Sequence, residues 1–246
     1  MCSEWTFAAI VALEPCPKIL YIKRFRMPFQ NWQEALWRIY KDGVFVSPST
    51  NVLFNFYRDE VRGLDVIGAA RIRQQNLRNY LRSFPVKPRI LIVGEAPGPK
   101  GARFSGVPFT SERLYAERAL PFAGRKSSAN ETLYAEPTAT IFWNTMASRF
   151  PDFLIWNTLP WHPHRPGEPL SIRAPKTSEV HAQLGLMEEV LRIVDPEQIL
   201  AVGRIAQGAL TRLNLKFIPI RHPSHGGATE FARGINNTFD ELPEEI

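Results

Sequence analysis

From residue 89 onwards, short uninterrupted apolar runs alternate with segments of helical apolar spacing. The strand candidates are Ile90–Val93, Phe153–Trp156, Gln198–Val202 and Phe217–Ile220. Apolar runs of this length indicate strands that are buried on both faces of a sheet. The segments between them predict helices over Ser111–Leu120, Ser178–Val194 and Arg204–Leu213. This alternation predicts an α/β fold, a three-layer α/β/α sandwich with a central four-stranded parallel sheet.

The chain before residue 89 lacks such runs and shows helical spacing instead. Gln33–Tyr40 has an apolar helical period, and the apolar residues of Ala69–Phe84 form one stripe. We therefore predict two parts. Residues 1–88 form a basic, mostly helical N-terminal extension that packs on the core, and residues 89–246 form the α/β/α domain.

Composition narrows the class of protein. The chain has 246 residues, of which 44% are apolar, which excludes a disordered chain. No apolar run reaches the roughly 20 residues needed to span a bilayer. The formal net charge is +6, and residues 1–88, with 13 Lys and Arg against 7 Asp and Glu, carry all of it. Such a bias fits a polyanionic partner, although a helical layer that closes the sheet explains it equally well.

Cysteine usage and the first residues indicate the compartment. The two cysteines, Cys2 and Cys16, can form neither a disulfide framework nor a four-thiolate metal or iron–sulfur site within one chain. The apolar stretch Trp5–Leu13 lacks the positive flank and cleavage site of an export signal. We expect a cytoplasmic monomer without cofactors.

Three loops carry most of the unusual polar residues. They are Gly94–Gly98, Asn157–Gly167 and Arg221–Gly227, which follow the first, second and fourth predicted strands and contain four of the five histidines. In parallel sheets, ligands bind where the strands end at their carboxyl edge. The first loop has the spacing of neither a Walker loop nor a dinucleotide fingerprint, so nucleotide cofactors are disfavoured.

Four motifs occur in order along these loops: Gly94-Glu-Ala-Pro-Gly98, Gly106-Val-Pro-Phe109, a strand ending in Asn157, and His222-Pro-Ser224. Together they resemble the uracil-DNA glycosylase superfamily over about residues 89–235. The first motif is closest to the thermophile-type, iron–sulfur members. The resemblance implies a DNA-repair glycosylase that hydrolyses the N-glycosidic bond of a flipped-out uracil, or a related deaminated base, and leaves an abasic site.

The resemblance also assigns roles to individual residues. Glu95 and His222 are the expected catalytic pair: His222 faces the charge that develops on uracil O2, and Glu95 stabilises the sugar cation and orients water. The expected substrate-binding residues are Gly94, Ala96, Pro97, Phe109 and Asn157. Phe109 would stack on the base and Asn157 would read its hydrogen-bonding edge. The expected DNA-binding residues are Arg165, Pro223, Ser224 and His225.

The sequence departs from the family pattern at several positions. Trp161 stands where iron–sulfur members have a cysteine, so no cluster is expected. Ala96 and Gly98 stand where classical uracil-specific members have an Asp and a Tyr, so the ring that blocks the thymine methyl is absent. His225-Gly-Gly-Ala228 replaces a wedge that opens the duplex, which favours single-stranded or mismatched DNA.

Other interpretations stay open at this point. Glu95 alone could be a helix cap or an ion-pair partner, Asn157 a turn cap and Phe109 a core residue. The protein could instead be a metal hydrolase, with ligands drawn from the residues near one cleft: His162, His164, His222, His225 and Glu95. A glycosylase-like fold could also bind nucleic acid with lost or altered base specificity.

Overall fold

The computed structural model describes residues 32–241. Its helices are α1 (Trp32–Ile39), α2 (Ala69–Arg82), α3 (Ala102–Ser105), α4 (Glu112–Ala116), α5 (Pro137–Met146), α6 (Thr177–His181), α7 (Leu184–Val194), α8 (Arg204–Arg212) and α9 (Ala228–Asp240). Its strands are β1 (Leu53–Phe54), β2 (Ile90–Gly94), β3 (Phe153–Asn157), β4 (His162–Pro163), β5 (Gln198–Val202) and β6 (Ile218–Ile220). A π-helical turn (Tyr40–Val44) extends α1, and a 3-10 turn (Ala147–Arg149) extends α5.

The central sheet has four parallel strands in the order β3-β2-β5-β6. The four predicted strands are confirmed, with only their ends shifted by a residue. The chain passes from β2 outward to β3 and then crosses to the other side of β2 for β5 and β6. Connections therefore leave β2 and β5 in opposite directions, which opens a crevice above their carboxyl ends.

Helices cover both faces of the sheet, as the predicted sandwich requires. Successive side chains of β3 point to opposite faces. On one face Trp156 packs on Tyr40, with ring centroids 5.1 Å apart. On the other face Phe153 packs on Phe142 of α5, with centroids 5.9 Å apart. The three-layer prediction is confirmed.

The N-terminal helices belong to the same hydrophobic core as the sheet. Helix α1 packs on α7, and α2 covers the outer edge of β3, where the Ile155 N–H donates to the Tyr80 hydroxyl at 2.9 Å. Edge strands expose unpaired backbone groups, so this contact satisfies one of them. Residues 1–31 of the predicted extension lie outside the described residues, and the division at residue 88 stays a prediction.

Several helices differ from the sequence prediction. The helix predicted over Ser111–Leu120 ends at Ala116, because Arg118 adopts a left-handed φ of +54°. The helix predicted over Ser178–Val194 is interrupted between α6 and α7. Helices α5 and α9 were not predicted, although both have apolar residues at helical spacing. No helix within residues 32–241 has the length and apolar character needed to cross a bilayer.

A buried ion cluster holds α2 and α3 together. The Asp65 carboxylate accepts hydrogen bonds from the guanidinium groups of Arg73 on α2 and Arg103 on α3, and all three side chains are almost fully buried. Burial lowers the pKa of Arg73 to about 10 despite the neighbouring carboxylate. The cluster fixes the segment that leads to Phe109.

Candidate active site

The three loops that follow the first, second and fourth predicted strands meet in one pocket at the carboxyl edge of the sheet. Its lining residues are Glu95, Ala96, Pro97, Gly98, Ala102, Phe109, Glu136, Thr138, Asn157 and His222. Six of them are predicted site residues, and Gly94 lies directly beneath. Backbone bonds hold the first two loops together, because the N–H groups of Thr158 and Leu159 donate to the carbonyls of Gly94 and Glu95 at 2.9 and 3.0 Å. The cavity has a volume of about 30 Å³.

Glu95 stands in the crevice between β2 and β5. Its Oε1 accepts a hydrogen bond from the Ile205 N–H at 3.1 Å, at the start of α8. Burial raises the pKa of the Glu95 carboxyl, and the N–H groups of Ile205 and Arg204 oppose that rise. Glu95 therefore caps α8 and lines the pocket at once, so the cap interpretation and the catalytic one are compatible.

His222 has a defined tautomer. Its Nδ1 accepts from the Ser224 backbone N–H at 3.2 Å and lies 2.7 Å from the Ser224 hydroxyl. Burial, helped by the charges of Arg221 and His225, lowers the pKa of His222 to about 4. The imidazole is therefore neutral at pH 7, and because Nδ1 is an acceptor, Nε2 carries the proton. The pocket wall thus presents an N–H donor.

Phe109 and Asn157 stand on either side of Gly94. A Cβ atom on Gly94 would lie 2.5 Å from Phe109 Cε2 and 2.6 Å from Asn157 Oδ1, so this position has no room for a side chain. One face of the Phe109 ring stacks on Phe142 of α5, with centroids 4.6 Å apart and planes 18° apart. Phe109 adopts a left-handed φ of +52°, a strained conformation for a bulky residue. An aromatic wall and an amide thus share one small space.

The family follows from the comparison with known proteins. The family model described as Uracil DNA glycosylase superfamily matches residues 81–239. The chain belongs to this superfamily. The crystal structure of wild-type SMUG2 from Pedobacter heparinus is similar, with a TM-score of 0.60, 14% sequence identity, and coverage of 87% of this chain and 98% of that chain. No curated protein matches the chain.

In this protein the second loop is hydrogen-bonded to the first loop through His162. His162 is buried, and its Nδ1 donates to the Pro97 carbonyl at 2.8 Å. Burial lowers the pKa of His162 to about 4. Trp161 donates from Nε1 to the Val44 carbonyl at 3.2 Å. Among residues 32–241, no group of three or more His, Cys, Asp or Glu side chains is arranged to hold a metal ion, and the metal-hydrolase alternative has no geometric support.

A groove of about 510 Å³ adjoins the pocket and contains three of the four predicted DNA-binding residues. It is lined by Pro99, Lys100, Ala135, Glu136, Pro137, Thr138, Ile141, Pro223, Ser224, His225, Gly226 and Ala228. Lys100, an exposed cation two residues after the first motif, was not among the predicted site residues. The Ser224 hydroxyl and N–H, expected to face phosphate, are directed at His222.

Arg165 is the predicted site residue that the structure does not bring to the pocket or the groove. Its guanidinium pairs with Glu168, with Nη2 and Oε2 2.7 Å apart, and both side chains are exposed. It lines a separate surface cavity with Leu64 and Pro169.

Glu136 is the functional candidate that sequence reasoning missed. It precedes the first residue of α5 and lines both the pocket and the groove. Burial raises the pKa of its carboxyl to about 7. The available signal was Pro137 followed by apolar residues at 139, 142, 143 and 146, which is the pattern of a helix start, but it does not show that the preceding residue enters the pocket.

Proposed function

We propose that this chain is a monofunctional DNA glycosylase that removes uracil, or a related deaminated base, and leaves an abasic site for base-excision repair. The observation that carries the proposal is the convergence of Glu95, Asn157 and His222 on one pocket with an aromatic wall. Because the cavity has room for little more than water, its walls move apart when a flipped base enters.

In this proposal Phe109 and Asn157 bind the base. Phe142 covers the far face of the Phe109 ring and backs it against the incoming base. The Asn157 amide donates to a carbonyl and accepts from a ring N–H at the same time. That pair of bonds matches the edge of uracil and opposes that of cytosine, whose donor and acceptor are reversed.

His222 and Glu95 carry out the chemistry. Cleavage of the N-glycosidic bond places negative charge on O2 of the leaving uracil and positive charge on the sugar. The Nε2–H of neutral His222 donates to O2, and the Ala96 N–H adds a second donor. Glu95 stabilises the sugar cation and orients the attacking water, and its carboxylate accepts the water's proton as the oxygen bonds to the anomeric carbon.

The groove beside the pocket is the proposed path of the DNA strand. Pro99, Pro223, Ser224 and His225 line this groove, and Lys100 supplies positive charge. Phosphate contacts of this kind position the strand without reading its sequence. Because the loop after Ser224 offers no wedge, single-stranded or mismatched DNA is the preferred form.

We further propose that the protein acts in the cytoplasm as a monomer and needs no cofactor. The first motif is closest to that of thermophile-type members, but Trp161 replaces a cluster ligand.

A uracil-excision assay tests the proposal. The protein is incubated with labelled single-stranded and duplex oligonucleotides that contain one uracil, and alkali then reveals abasic sites. We expect cleavage at uracil, and a decrease of about 100- to 1000-fold in His222→Ala, the range for loss of one oxyanion donor. The rate of uracil excision by Glu95→Ala is expected to fall by a comparable factor. Glu168→Gln, a substitution at an exposed residue outside the pocket, is expected to keep full activity.

Two outcomes would contradict the proposal. Unchanged cleavage in both pocket variants would exclude this site as the catalytic one. Absence of cleavage by the wild type, with DNA binding retained, would favour the nucleic-acid-binding alternative.

A further inference from the structure

The Glu136 carboxylate occupies the space into which side chains at positions 98 and 101 of the first loop would extend. A Cβ atom on Gly98 would overlap the Glu136 carboxylate and lie 2.8 Å from its Cδ, and one on Gly101 would lie 2.5 Å from the same atom. Neither glycine has a positive φ, and a methyl group at either position would have to displace the Glu136 carboxylate. One wall of the pocket is therefore a carboxyl group from another element.

The half-buried Glu136 side chain accepts no hydrogen bond from the described residues, and its burial raises the pKa of the carboxyl. A carboxyl in this position relies on water for its hydrogen bonds. Glu136 lines both the pocket, which also contains Thr138, and the adjoining groove. The carboxyl thus borders the place where a base enters.

The other polar groups of the pocket leave one edge of the base for Glu136. This step rests on the proposed function. Glu95 stands beside the sugar, His222 binds O2, Asn157 binds the N3 and O4 edge, and Phe109 covers the ring face. The C5 edge of the pyrimidine is the one that remains.

We propose that Glu136 is a specificity-determining residue that reads the C5 position of the base. A hydrogen at C5 leaves space for a water molecule that bonds to the carboxyl. A methyl group at C5 displaces that water and leaves the carboxyl without a hydrogen-bond partner, so thymine is rejected. Glu136 thereby supplies the barrier that a side chain at position 98 would otherwise provide.

The test compares excision of uracil and of thymine from otherwise identical single-stranded oligonucleotides. We expect Glu136→Ala to retain uracil excision within about fivefold of the wild type and to reduce the uracil-to-thymine rate ratio by about 10- to 100-fold, within the range that one methyl contributes to discrimination in a pocket. Glu136→Gln keeps the size and polarity of the wall and is expected to keep the ratio. Glu131→Ala, a change at an exposed glutamate before α5, is the matched control.

A second pair of variants tests the geometry independently. Gly98→Ala alone is expected to lose at least tenfold in uracil excision, because its methyl displaces Glu136. The double variant Gly98→Ala, Glu136→Ala is expected to recover uracil excision and thymine rejection together, because the new methyl restores the wall.

The outcomes separate the two proposals. Uracil excision by the wild type with an unchanged ratio in Glu136→Ala would overturn the role of Glu136 and leave the glycosylase proposal standing. Loss of uracil excision in both Glu136 variants would also overturn it, since that pattern belongs to a catalytic or structural residue. Absence of uracil excision by the wild type would overturn the proposed function and this inference with it.

Discussion

At the scale of single residues, burial is the main cause of the protonation states in the pocket. It holds His222 neutral and the Glu136 carboxyl close to half-protonated at neutral pH. The two groups have opposite effects on stability. Folding favours neutral His222, which lowers the free energy of unfolding as pH falls below 6.5, and favours protonated Glu136, which lowers it as pH rises above 4.5.

The Glu136 effect can be measured as a pH dependence of folding. Its pKa is about 7 in the folded protein against a model value of 4.5, so between these values the folded state binds more protons than the unfolded state. Its contribution to the free energy of unfolding is therefore complete below about pH 4.5 and is lost as pH rises through 7. Solvent at the pocket mouth limits the loss to roughly 2 kcal/mol.

We expect Glu136→Gln to gain stability relative to the wild type by that amount between pH 4.5 and 8. Urea unfolding at both pH values gives the difference between the two proteins, in which the titration of other groups cancels. Parallel pH profiles for the two proteins would contradict the assignment.

At the scale of elements, the start of α8 determines where Glu95 stands. Gly203 precedes the helix at a φ of +91°, and a Cβ atom there would overlap Glu95 Oε1 and lie 2.7 Å from Cδ. The helix terminus and the Glu95 carboxylate therefore share a space that glycine alone leaves open. This packing keeps the carboxylate in the crevice between β2 and β5.

Gly203→Ala is expected to reduce uracil excision by at least tenfold, because its methyl displaces Glu95 and its backbone is strained. Gly208→Ala lies within the same helix and meets no atom within 4 Å, so it is expected to keep activity and to gain about 0.5–1 kcal/mol of stability. Single-turnover rates, measured where circular dichroism shows both variants folded, provide the check. Equal rates in the two variants would exclude a role for this contact.

At the scale of the whole molecule, the N-terminal segment is tied to the active-site loops. Residues of β1 pair with β4 in the second loop, and Asp65 binds Arg73 and Arg103 in the buried cluster. Removing the one carboxylate would leave two buried guanidinium groups without their counter-charge, the situation in which buried ion pairs matter most.

Asp65→Asn is expected to lower the free energy of unfolding by about 3–5 kcal/mol. Glu168→Gln removes a carboxylate from an exposed pair and is expected to cost less than 1 kcal/mol. Urea denaturation of both variants measures the contrast. A small effect for Asp65→Asn would show that the cluster contributes little to stability.

The sheet and most of the pocket could be predicted because they depend on local pattern. Continuous apolar runs mark β2, β3 and β5, and parallel strands bring the loops after them to one edge, which is why Glu95, Asn157 and His222 meet. Glu136 could not be found this way. Its place depends on how α5 packs over Gly98, and a glycine kept for space looks the same in sequence as one kept for flexibility.

The position of α5 has a consequence for how such enzymes diversify. This ten-residue helix carries Phe142, which stacks on Phe109, and follows directly on Glu136, whereas Glu95 and His222, the proposed catalytic pair, stand on loops that follow strands. A lineage can therefore exchange one short segment and inherit its chemistry intact. Gene duplicates that differ mainly around residues 136–142 are where new base preferences should be sought.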